Sequence, residues 1–214
     1  MKEQMQFKSV KRGELLYQEG EPTDWLYYVI SGSIIIRKIS KIGKRIIENW
    51  FLADDLFGHI EDVQDHFHAD QATAHENSVL GIIAKKDLQN FMIQDTIFRM
   101  EWLKWAGHMH QLALMKIRDT MLYGKTGALS AVLLRLKNSF GEPHEAGILL
   151  NKRITNQLIS EMICVSRERV NRMISELKKN NVIEFDSGYI IIKDEAYLRN
   201  EVKCEMCTNE ICRV

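Results

Sequence analysis

The alternation of apolar and polar positions divides the chain into stretches with different periods. Over residues 5–90, β-branched and aromatic runs are broken by Gly13, Gly20, Pro22 and Gly32, as in VKRGELLYQEGEPTDWLYYVISGSIIIRKI. Short runs with glycines at the corners predict strands and turns, and strands at this spacing predict an antiparallel barrel or jelly roll. GKRIIENWFLADDLFGHI adds two strands and a turn, and ENSVLGIIAKKDL adds another strand and a helix start. From about Ile97 to Met121 the period becomes helical, with Gly107 the one breaker. Met100, Leu103, Gly107, His110, Leu114, Ile117 and Met121 step by three and four, the spacing of a coiled-coil seam. A second stripe runs through Phe98, Trp102, Trp105, Met109 and Leu112. One stripe suits a partner helix and the other suits the chain's own β-domain. A homodimer through residues 97–121 is therefore expected.

Past a predicted hinge at Tyr123-Gly124-Lys125-Thr126-Gly127, ALSAVLLRLKNSF predicts a helix ended by Gly141, and residues 148–150 a short strand. RITNQLISEMICVSRERVNRMISELKKN then predicts two short helices joined by a tight turn. Thr155 can cap the first and Ser166 the second. Leu158, Ile159, Met162, Val170, Met173, Ile174 and Leu177 supply apolar faces that lock the pair together. The second helix leads with Arg167, Glu168, Asn171 and Arg172 on its other face. Arginine can donate two hydrogen bonds to guanine and glutamate can accept from cytosine, so these four are candidate base readers. Arg169 and Thr155 suit phosphate contacts, which position a protein on DNA without reading sequence. VIEFDSGYIIIKD closes as a hairpin about Asp186-Ser187-Gly188, which makes a wing after a recognition helix. Double-stranded DNA is thus the expected partner.

Charge refines this picture. Lys plus Arg and Asp plus Glu number 29 each, so any basic surface that meets DNA must be local. No apolar run reaches the ~18–20 residues that span a bilayer, and the N-terminus has no apolar core of a signal peptide, so no membrane partner and a cytoplasmic address are expected. No Ser/His/Asp set, Walker loop or paired carboxylates stand out, which argues against an enzyme. His59, His66, His68 and His75 fall in one loop-rich region and could hold a metal, but scattered solvated histidines are the simpler expectation.

The cysteines are uneven. Cys204, Cys207 and Cys212 crowd the last eleven residues as C-x2-C-x4-C, whereas Cys164 lies alone between the two motif helices, where a small buried thiol is expected. Three thiolates at that spacing can reach one soft metal centre, zinc or an iron–sulfur cluster, or can switch by thiol oxidation.

β-domain, long helix, hinge and the SRERVNRMI helix together resemble the CRP/FNR family of bacterial transcription regulators over nearly the whole chain. GELLYQEGEPTDWLYYVISGSI matches the family's glycine-punctuated opening strands, and Arg167, Glu168 and Arg172 match its R-E-x-x-x-R recognition pattern. The resemblance implies an α+β fold. It would comprise a cyclic-nucleotide-binding-like jelly roll or barrel over 1–95, a dimerisation helix over 96–123, a winged helix-turn-helix over 124–200 and a cysteine-rich tail over 201–214. It also implies TGTGA-like half-sites in an inverted repeat, and recruitment of RNA polymerase. Cyclic-nucleotide-binding members carry a glycine–glutamate pair and an arginine that neutralises the cyclic phosphate. Here His59 follows Gly58, and Gln71-Ala72-Thr73-Ala74 stands at the cassette end with no arginine, so no cyclic nucleotide is expected. The tail resembles that of the FNR-like branch with C-terminal cluster cysteines, which implies a [4Fe–4S] cluster on Cys204, Cys207 and Cys212, with Asp119 at the matching place for a carboxylate fourth ligand. An ordinary surface aspartate is the competing reading of Asp119, and Glu205 or water are other candidate ligands. The resemblance further implies oxygen-responsive control, in which loss of the cluster frees the tail and lowers DNA affinity. Control by thiol oxidation, or by a small ligand in the barrel, is the alternative.

Overall fold

The computed structural model describes residues 5–58, 67–204 and 207–214. Of the candidate residues named above, His59, His66 and Glu205 lie outside them. The chain divides into two compact units, Met1–Trp105 and Ala106–Val214.

In the first unit the glycine-cornered runs become β1 (Gln6–Val10), β2 (Leu15–Tyr17), β3 (Trp25–Ser31), β4 (Ile34–Ile39), β5 (Arg45–Phe51), β6 (Leu56–Phe57), β7 (Gln71–Ala74) and β8 (Ser78–Ala84). They pair antiparallel in two four-stranded sheets, β1-β8-β3-β6 and β2-β7-β4-β5. No hydrogen-bonded ladder joins the two sheets among the described residues, so the domain is a jelly roll and not the closed barrel offered as an alternative. Leu26, Val29, Ile34, Trp50, Phe57, Leu80 and Ile83 are buried between the sheets. Phe57 stacks on both Tyr27 and Phe51, with ring centroids 5.0 Å away in each case. Gly32 turns β3 into β4 at φ +85°, and a Cβ there would lie 2.5 Å from the Asn77 carbonyl oxygen, so no other residue fits.

α1 (Lys85–Gln94) follows, and α2 (Thr96–Leu122) begins where the Asp95 carboxylate accepts from the backbone N–H groups of Ile97 and Phe98. At 27 residues α2 is about 40 Å long and crosses the boundary between the units. Its two predicted stripes differ in exposure. Phe98, Trp102 and Trp105 are half-buried and form a ring ladder, while Met100, Leu103, Leu114, Ile117 and Met121 are 51–77% exposed.

The second unit contains α3 (Gly124–Phe140), β9 (Gly141–His144), β10 (Gly147–Leu150), α4 (Asn156–Met162), α5 (Arg167–Lys179), β11 (Ile183–Asp186), β12 (Tyr189–Ile192) and α6 (Glu195–Glu201). The predicted five-residue hinge contracts to one break, because Gly124 already opens α3 at φ +63° and Lys125 to Gly127 lie inside the helix. β9 and α6 were not legible as separate elements. β9 carries Pro143 and is tolerated because it is the edge of the sheet β11-β12-β10-β9. α3 runs through the middle of this unit, with every residue from Gly127 to Leu136 buried.

Candidate functional sites

α4 and α5 form the expected pair. The Thr155 hydroxyl accepts from the Leu158 N–H at 3.1 Å, and the Ser166 hydroxyl from the Arg169 N–H at 3.3 Å, so both predicted caps are made. Leu158, Ile159, Val170, Met173, Ile174 and Leu177 are buried, and Met162 is half-buried at the rim. Arg167, Glu168, Arg169, Asn171 and Arg172 are all exposed. The Glu168 carboxylate is held below its usual range by its own backbone N–H, then by the Ser166 hydroxyl and by Arg167 and Arg172. The Asn156 amide donates to Asn171 Oδ1 at 2.5 Å, which leaves the Asn171 NH2 group outward as a donor. Cys164 corrects the expectation of a buried thiol. The turn places it at φ +56° with its side chain exposed, and Ile163 beside it is buried instead.

The wing forms as predicted, with Ser187 and Gly188 at φ 50° and 88° in a two-residue turn that matches strand twist. Arg153 was missed by sequence reading. Its guanidinium lies over the Tyr189 ring, 5.4 Å from the centroid, and reaches the Ser187 carbonyl, so it braces the wing from the chain segment before α4.

The second constellation lies where α2 ends. Asp119 is 6% exposed, which removes the surface-aspartate reading. Its Oδ2 accepts from Arg135 Nη2 at 2.5 Å and its Oδ1 from Arg118 Nη2 at 3.0 Å. Arg135, itself 4% exposed, projects from α3. Asp119, Arg118, Arg135, Cys204, Cys207 and Cys212 line one small recess of about 20 Å³ with the apolar Met115, Ala131, Leu134 and Val202. All three tail cysteines are free thiols. Arg199 Nη1 lies 3.2 Å from Cys204 Sγ, while Glu195 accepts from both Arg199 and Lys137. Burial raises the Glu195 carboxyl, but those hydrogen bonds and charges outweigh it and hold the group below its ordinary value. Burial pushes the Cys212 thiol up; Arg135 opposes, and Cys204, Cys207 and Asp119 add to the rise.

The recess therefore brings together the four residues proposed from sequence as one ligand set, and adds Arg118 and Arg135, the second of which the sequence reading passed over. The signal was present: Arg135 interrupts the apolar run ALSAVLLRL. Among the described residues no three His, Cys, Asp or Glu groups are close enough to hold a single metal ion. Soft thiolates with one hard carboxylate, backed by guanidiniums that offset negative charge, are the donor chemistry that would hold an iron–sulfur cluster.

Of the four candidate histidines, the structure describes His68 and His75. His68 is buried, not solvated as expected, and stacks on Tyr17 with centroids 3.5 Å apart. His75 meets the edge of Trp50 at 4.8 Å.

Residues 127–201 match the family of Crp-like helix-turn-helix domains, and residues 7–95 that of cyclic nucleotide-binding domains. The chain is 34% identical over 209 residues to the anaerobic regulatory protein of Bacillus subtilis (strain 168), covering 97% of this chain and 88% of that one. It is 21% identical over 201 residues to a CRP-like cAMP-activated global transcriptional regulator of Mycobacterium tuberculosis, covering 94% and 89%. The fold is that of FixK2 from Bradyrhizobium japonicum, with a TM-score of 0.79 at 18% identity over 92% of this chain and 96% of that one. No helix among the described residues is long and apolar enough to cross a membrane.

Proposed function

The chain belongs to the CRP/FNR family of transcription regulators, and from that premise we propose that it is an FNR-like, oxygen-responsive regulator whose signal is read by a [4Fe–4S] cluster on Cys204, Cys207, Cys212 and Asp119. The observation that carries this reading is the single recess lined by all four side chains. When bound, the cluster supplies an oxygen-labile centre; the carboxylate, a harder ligand than thiolate, is its weak corner. Asp119 anchors the site to α2, and the cysteines anchor it to the tail. Arg118 and Arg135 offset the negative charge that three thiolates and a carboxylate bring into a partly buried space.

The DNA reading rests on the exposed leading face of α5. Arg167, Glu168, Asn171 and Arg172 read bases, Arg169 and Thr155 take phosphates, and Ser166 fixes the helix start. Two copies joined along the exposed stripe of α2 present two recognition helices to an inverted repeat of TGTGA-like half-sites. RNA polymerase is the further partner. The cassette end, Gln71 to Ala74, lies in β7 with no arginine, so the jelly roll is assigned no cyclic nucleotide. The test is anaerobic purification followed by a visible spectrum with iron and sulfide assays. Absorbance with about four irons per chain is the expected result, and colourless, iron-free protein would reject the cluster.

A further inference from the structure

We propose that Arg135 is the positioning residue of this site, a buried guanidinium that docks the cysteine tail and orients Asp119 with or without iron. One planar fork makes both connections. Nη2 donates to Asp119 Oδ2 at 2.5 Å, and Nη1 donates to the Ile211 carbonyl at 3.3 Å, so α2, α3 and the tail meet at one side chain. The next turn of α3 continues the strip. Asn138 Nδ2 donates to the Cys212 carbonyl at 2.6 Å, and the Ser139 hydroxyl accepts from the Val214 N–H at 3.2 Å. Val214 is buried, 6% exposed. Positions 135, 138 and 139 lie at i, i+3 and i+4 and share one helix face. Within the tail, the Ile211 and Cys212 N–H groups both donate to the Thr208 carbonyl. Every one of these contacts is made by protein groups alone.

Two consequences follow. The three thiols are gathered before a metal arrives, which shortens the search that cluster assembly requires. On this proposal, loss of a cluster would leave the tail docked, where the sequence led to the expectation of a freed tail. What would change is the partner of Asp119: without iron its carboxylate is held by the Arg118 and Arg135 guanidiniums, as it is here. Both consequences rest on the cluster reading; the docking of the tail by Arg135 does not.

The test is amide hydrogen exchange at Ile211, Cys212 and Val214 in metal-free and iron-loaded full-length protein. Metal-free protein is expected to protect these amides at least about tenfold over unstructured peptide. Arg135→Gln should lose that protection in metal-free protein, and Arg135→Lys should recover part of it, because an ammonium keeps the charge without the fork. Asn138→Ala, which deletes only the Cys212 contact, should expose the amides without disturbing Asp119, and serves if Arg135→Gln misfolds. In loaded protein, Arg135→Gln should give up iron to a chelator about tenfold faster than wild type. Peptide-like exchange in metal-free wild type, or no change in either variant, would overturn the proposal. Colourless protein whose tail is protected and sensitive to Arg135→Gln would instead sink the cluster and leave the docking role standing.

Discussion

Asp119 and Arg135 form a buried ion pair, and such pairs are costly to halve. Removing one partner leaves the other charge without its compensation, at about 3–5 kcal/mol. Asp119→Ala should therefore lower the stability of metal-free protein by roughly that amount, read by denaturant unfolding, whereas Asp119→Asn keeps the shape and a hydrogen bond and should cost less. Both should weaken iron retention, which separates the ligand role from the structural one. Glu195 gives a prediction in pH. Lys137 and Arg199 lower its folded pKa, so the stabilisation is fully present above its unfolded value of about 4.3 and is lost as pH falls through the folded value. Glu195→Gln should flatten the acid limb of the stability curve below about pH 4.3, followed by circular dichroism. An unaltered acid limb would mean that the triad carries no net stabilisation.

The elements differ in how far pattern alone exposes them. α2 was legible because both of its stripes repeat over many turns, and α5 because Ser166, its apolar face and its charged leading edge agree at every level. The exposed stripe of α2 predicts that replacing Leu114 and Ile117 together with aspartate splits the dimer, seen as a halved mass by sedimentation; an unchanged mass would place the interface elsewhere. On α5, Arg172→Ala should cost about 1–3 kcal/mol on the specific site and relax one base position, while Arg169→Ala should weaken all sequences alike and lower the salt slope by about one. β9 and α6 stayed hidden for physical reasons. Gly141-Glu142-Pro143-His144 has no strand propensity and is held only by pairing with β10, and α6 is two turns long with a single fully buried side chain, Leu198. The closed barrel was a fair reading of strand spacing, since spacing does not say whether the outer strands of two sheets find each other. Cys164 was misplaced because its burial depends on one positive φ that no periodicity reveals.

At the scale of the molecule, all four proposed cluster ligands and the recognition helix fall in one compact unit, Ala106–Val214. The proposed signal site and the proposed DNA-reading face thus share one compact unit, with α3 at its middle. Sequence proposed the ligands by spacing and resemblance but passed over Arg135, because a lone basic residue in an apolar helix has no period. The most direct measurement is binding of one protein preparation to an inverted-repeat TGTGA-type duplex, before and after exposure to air, with iron and visible absorbance followed on the same sample. The expected result is coloured protein that binds tightly without oxygen, then loses colour, iron and at least about tenfold in affinity together, the scale of a coupling free energy near 1.4 kcal/mol. Protein that is colourless from the start, or that binds equally well after its iron is gone, would contradict the cluster as the switch.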